Sequence, residues 1–223
     1  MVFSASMAIC RSILLVNLGL AAISVFGLLM AIFRGSGLVS KEIERRTIYN
    51  ILSKPVTRAE FILGKYAGLL LTLFVNTAIM TAGFYAALAF QNKGLTLHDL
   101  SLLGAVYFFL LQFAIVTGVA IFFSCISTPI LSAVFTFSLF VIGNFLSDIR
   151  WFGQESQSFI LEKITAGLYY LLPNFSDFNV ISLAAHGVTI SRHLLAANTC
   201  YALLYIAIVV SASVLVFEER EFQ

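Results

Sequence analysis

Four long stretches of the chain carry no charged side chain at all: residues 12–33, 66–92, 100–147 and 193–217. A helix needs about 20 consecutive apolar residues to cross the hydrocarbon core of a bilayer. The first, second and fourth stretches each suffice for one span, and the third is long enough for two. Between its halves lies Ser124-Cys125-Ile126-Ser127-Thr128-Pro129, where Pro129 removes a backbone donor and restricts the residue before it. Five helices follow, over about 12–33, 64–90, 100–123, 129–147 and 196–217. A membrane β-barrel would need short alternating strands, and these runs do not alternate. The expected fold is all-α, a polytopic membrane bundle.

Composition closes the other routes. The chain is 60% apolar and 11% charged, against roughly half and about a quarter in a soluble domain. Disorder needs the opposite balance. A net charge of +2 gives no reason to expect nucleic acid as a partner. Cys10, Cys125 and Cys200 are an odd, scattered set that makes neither a disulfide framework nor a metal cluster.

Orientation follows from Lys and Arg near the span ends. Arg34, Lys41, Arg45, Arg46, Lys54, Arg58 and Lys65 crowd the segment between the first two spans, while Arg11, Lys93, Arg150, Lys163 and Arg192 are spread over the other side. The 34–65 segment, the 124–128 turn and the charged tail are therefore expected in the cytoplasm. The 91–99 loop and the 148–195 segment face outward. This puts Met1 outside, against the preference of Arg11. The simplest resolution is an earlier span ahead of Met1, with residues 1–10 as the remnant of its outer end.

The segment 38–60 is amphipathic. Val39, Ile43, Ile48, Ile51 and Leu52 recur at helical spacing, with Lys41, Glu42, Glu44, Arg45 and Arg46 between them. Ser40 can serve as N-cap, and Glu42 and Glu44 suit the positive end of the helix dipole. Pro55 stops the helix. Two readings are open: an interfacial helix on lipid headgroups, or a docking helix for a soluble partner. Its mixed charge and its direct passage into the next span favour docking.

Glu42-x-Glu44-x-x-Thr47, followed by Leu52-Ser53-Lys54-Pro55-Val56-Thr57-Arg58-x-Glu60-Phe61-x-Leu63-Gly64-Lys65, resembles the E-x-E-x-G-T … LLS-x-P-x-x-R-x-E-F-x-x-G-K signature of ABC-2 type transporter permeases. The resemblance extends over essentially the whole chain, with two departures. Arg46 stands where the family has Gly, and the family has six spans where five are read here. The resemblance implies a half-transporter in the bacterial cytoplasmic (inner) membrane. Two permease copies, identical or related, would form the pathway, and two copies of a separate ATP-binding subunit would grip the cytoplasmic helix. Glu42, Glu44, Arg45, Arg46, Thr47, Ile48 and Tyr49 would then be the ATPase-coupling residues. No G-x-x-x-x-G-K-S/T phosphate loop occurs in the chain, so no enzymatic activity or cofactor of its own is expected.

No span holds Asp, Glu, Lys or Arg in its interior. Such residues mark proton relays and ion-coupled carriers, so an external energy source fits better. Asn76, Gln112 and Asn144 are the polar residues that either bond between helices or line a pathway. Gly19/Gly27 and Gly64/Gly68 read as helix-packing positions. Phe108, Phe109, Phe113, Phe122, Phe123, Phe135, Phe137 and Phe140 read mostly as surface facing lipid or a second copy. His98, His186 and His193 are too dispersed for a metal site. Residues 149–192 hold apolar pieces too short to span, broken by Glu155, Glu162, Lys163 and Pro173. They read as helices dipping into or lying on the outer leaflet; in the family such helices close the outer exit. An exporter or flippase is the leading function. A non-transporting scaffold is the main alternative, and an embedded enzyme, with no Ser/His/Asp or H-E-x-x-H set, is the weakest.

Overall fold

The computed structural model describes residues 2–39, 57–92, 102–156, 159–181 and 191–219. The chain forms α1 (Val2–Ser36), α2 (Arg58–Asn92), α3 (Leu102–Ile126), α4 (Pro129–Asn144), α5 (Leu146–Glu155), α6 (Phe159–Leu171), a 3-10 turn (Ser176–Phe178) and α7 (Arg192–Glu219). No strand occurs among the described residues. Among the described residues four helical stretches are long and apolar enough to cross a membrane: Leu14–Ser36, Arg58–Gln91, Leu102–Ile126 and His193–Glu218. The pair α4–α5, bent by 53°, makes a fifth if counted as one span.

Three features differ from the sequence expectation. First, α1 runs unbroken from Val2, so the stretch up to Cys10 continues the helix of the first span. Second, the fourth helix ends at Asn144, short of residue 147. Phe145 N–H turns back to Ile142 O at 3.0 Å, and the chain leaves at an angle as α5. Third, three of the five phenylalanines of α3 are core rather than surface, while Phe122 and Phe123 are partly buried. Phe108, Phe109 and Phe113 are at most 1% exposed, whereas Phe135 and Phe137 on α4 face outward.

The reason for the third difference is that α3 is the axial helix. Its sides are covered by α1, α2, α4 and α7, and most of its length is buried. Tyr66 Oη donates to Ala114 O (3.1 Å), and Ser132 Oγ donates to Ala120 O (3.2 Å). The Tyr107 and Thr199 hydroxyls pair at 2.9 Å. These bonds tie α2, α4 and α7 to the same helix. Pro129 stands in the first turn of α4, where its missing N–H would have no intrahelical partner anyway.

Glycines on α1 let neighbouring rings approach. A Cβ on Gly19 would meet the Phe84 ring, and one on Gly27 the Phe113 ring. Gly64 and Gly68 on α2 have nothing within 4 Å of a notional Cβ. They lie on an open face beside exposed Leu63, Leu71, Phe74 and Ile79. Apolar side chains exposed along the spans are what a lipid-facing surface requires, because hydrocarbon tails are as apolar as leucine.

Candidate functional site

The functional geometry sits at the two ends of the bundle. At the end from which segment 40–56 departs, here called inner, both edges of that segment are fastened. On the incoming side, α1 closes with a turn, Leu38 N–H to Gly35 O at 3.3 Å. The fully buried Val39 then donates its N–H to Ser124 Oγ on α3 at 3.2 Å. On the outgoing side, Thr57 caps α2. Glu60 N–H donates to Thr57 Oγ1 (3.2 Å), and Thr57 N–H donates to Glu60 Oε2 (2.8 Å). This is a reciprocal capping box, in which side chains satisfy two donors that the helix start leaves free.

The next residues of the signature reach across to α7. Arg58 Nη1 donates to Phe217 O at 3.3 Å and to Glu218 O at 2.6 Å. Phe61 stacks on Phe217, centroids 5.7 Å apart and planes 17° from parallel. Lys65 Nζ lies 5.4 Å from the Phe61 ring centre. Ile62, Tyr66, Leu69, Val39, Ile121, Cys125, Val210 and Phe217 form one apolar cluster beneath them. Thr57, Arg58, Glu60 and Phe61 thus have distinct mechanical roles, which their place in a motif did not reveal. The capping box is legible as Thr-x-x-Glu; the Arg58 contact, across 159 residues of sequence, is not. Glu42, Glu44, Arg45, Arg46, Thr47, Ile48 and Tyr49 lie outside the described residues.

At the outer end, α5 and α6 form a hairpin in which Thr165 occupies the space a Gly153 side chain would need. Its free faces expose Trp151, Phe152, Phe159, Ile160, Tyr170 and Leu171. The Arg150 guanidinium lies 4.4 Å from the centre of the Tyr169 ring, a cation–π contact. The chain then returns over the bundle as Leu172-Pro173-Asn174-Phe175. Phe175 is fully buried, and its N–H donates to Gly143 O at 3.0 Å.

Asn174 organises this cap. Its N–H donates to Tyr201 Oη (3.0 Å) and its Nδ2 to Asp177 Oδ2 (2.9 Å). Its Oδ1 accepts from Ser176 Oγ (2.6 Å) and from Ser176 N–H (3.2 Å). Asn198 Nδ2 donates to Asp177 O at 3.0 Å. Burial pushes the Asp177 carboxyl above its ordinary value of 3.8, because a low-dielectric site disfavours the ionised form.

The three candidate pathway residues sit on three helices, and none bonds to another. Asn76 Nδ2 donates to Thr72 O (3.0 Å) and Asn144 Nδ2 to Phe140 O (2.9 Å), each within its own helix. Gln112 is buried on α3. His98 and His186 lie outside the described residues, and His193 is exposed. Among the described residues no group of three His, Cys, Asp or Glu could hold a metal ion.

No curated protein and no solved structure matches this chain. The family described as ABC-2 family transporter protein matches residues 4–222. That match spans nearly the whole sequence and joins a bundle of apolar helices to the signature at its inner end, so the chain belongs to the ABC-2 transporter family and is a multi-pass membrane permease.

Proposed function

We propose that this permease is the membrane half of an exporter or flippase in the bacterial cytoplasmic membrane, driven by two copies of a separate ATP-binding subunit. Two permease copies, identical or related, enclose the pathway. The observation that carries this reading is the anchoring of segment 40–56. It leaves the bundle from a residue bonded to α3 and re-enters through residues bonded to α7, so a force applied to it reaches the helices of the bundle. Within it, Glu42, Glu44, Arg45 and Arg46 make rim contacts that set register, Ile48 and Tyr49 pack at the centre of the docking surface, and Thr47 belongs to the same coupling set. Asn76, Gln112 and Asn144 are the candidate polar groups of the pathway.

Rim charges govern specificity and association, whereas truncating a central aromatic costs about 2 kcal/mol or more. Glu44→Arg and Tyr49→Ala should therefore release the ATPase or uncouple its hydrolysis from transport, with the membrane part intact. A helix that merely lies on lipid predicts the reverse for Glu44→Arg: tighter association with anionic headgroups and unchanged ATPase binding. Co-purification of the ATP-binding subunit with each variant, at matched membrane expression, distinguishes them. Undiminished co-purification and transport in both variants would sink the docking role.

A further inference from the structure

The last turn of a helix leaves four carbonyls without intrahelical donors and carries the negative end of the dipole. In α7 that turn contains Glu218 and Glu219 and no basic residue, the wrong charge for its position. A cation reaches this turn from another helix. Arg58, at the start of α2, donates to the carbonyls of Phe217 and Glu218, and Phe61 lies flat on the 2%-exposed Phe217.

From there α7 runs back to Arg192 as a single helix without a glycine or a proline, the residues most often responsible for sharp kinks. Sixteen residues before Phe217, a rise of about 24 Å, Tyr201 Oη accepts the Asn174 N–H. Asn198, one turn further, holds the carbonyl of Asp177. Rings add to the grip, with Phe178 and Tyr201 centroids 6.3 Å apart. One continuous helix is thus clasped at its inner end by the residues that follow segment 40–56, and at its outer end by the cap.

We propose that α7 is a strut coupling the inner loop to the outer cap. Arg58 and Phe61 transmit displacement of segment 40–56 to the carbonyl end of α7, and Tyr201 and Asn198 deliver it to residues 172–178. Arg58 is then a positioning residue for transport. This rests on the reading of segment 40–56 as the place where the ATP-binding subunit acts.

Amide hydrogen exchange of the full chain in lipid nanodiscs tests the strut. Arg58→Ala is expected to speed exchange over residues 174–180 by at least about fivefold, the lower end of coupling between distant sites, and to leave α5 unchanged. Arg58→Lys, which keeps a cation, should give a smaller effect. Coupling is reciprocal, so Tyr201→Phe, which removes only the acceptor for Asn174, should speed exchange over residues 57–61. The two milder variants decide the matter if Arg58→Ala does not fold. Effects confined to the mutated end in each case overturn the strut. A wild-type chain that captures no ATP-binding subunit overturns instead the docking role of segment 40–56, a separate result from a separate measurement.

Discussion

The Phe175 N–H donates to Gly143 O at 3.0 Å, and a Cβ on Gly143 would stand 2.5 Å from both the Phe175 ring and Pro173 O. The cap therefore seats on α4 through the absence of a side chain. Gly143→Ala should force the buried ring or the Pro173 backbone to move, at a cost of about 1–3 kcal/mol. Thermal unfolding in detergent would read this as a lowered Tm. An unchanged Tm would mean that the cap does not rest on Gly143.

The two glycine pairs should behave oppositely. Gly27 faces the buried Phe113 ring, so Gly27→Ala collides with a side chain that has no space to yield and should lower the Tm. Gly68 opens on empty space, so Gly68→Ala removes only backbone freedom. Its expected effect on the unfolding of a single chain is neutral or slightly stabilising, within about 1 kcal/mol. Side-by-side melts of the two variants check the contrast.

The capping box at the start of α2 predicts a local loss. Thr57→Ala removes the oxygen that accepts the Glu60 N–H and should cost about 1 kcal/mol. The effect should appear as faster amide exchange in the first turn of α2, with the middle of that helix unaffected. Thr57→Ser, which retains the hydroxyl, should restore protection.

Asp177 makes the cap sensitive to acid in a defined direction. Its carboxyl titrates above the ordinary value because burial disfavours the charge, so the folded cap binds a proton more tightly than the unfolded chain. The stabilisation by protonation is fully present below the ordinary value of 3.8 and is lost as pH rises through the raised value. Asp177→Asn cannot ionise and retains an oxygen to accept from Asn174. Its Tm should match the wild type in acid and exceed it near neutral pH. Parallel curves across the whole range would show that the carboxyl does not feel its surroundings.

The all-α class and the long apolar helices were legible in the sequence, because the exclusion of charge from hydrocarbon and the thickness of the bilayer act along one dimension. Pro129 sits at the break between α3 and α4 for the same local reason, and Thr57-x-x-Glu60 spells its own cap. Which faces turn inward was not legible. The helix α3 is apolar all round, and in a bilayer both lipid and protein interior accept apolar side chains, so Phe108, Phe109 and Phe113 looked no different from Phe135 and Phe137. Shape decided between them: glycine hollows on α1 and four surrounding helices buried one set and left the other facing outward. The outer cap and the Arg58 clasp likewise needed the folded chain. Gly143 meets Phe175 across 31 intervening residues, and Arg58 finds Phe217 from the far end of the sequence. Periodicity and composition carry no information on such pairs; only the packing of the helices brings them together.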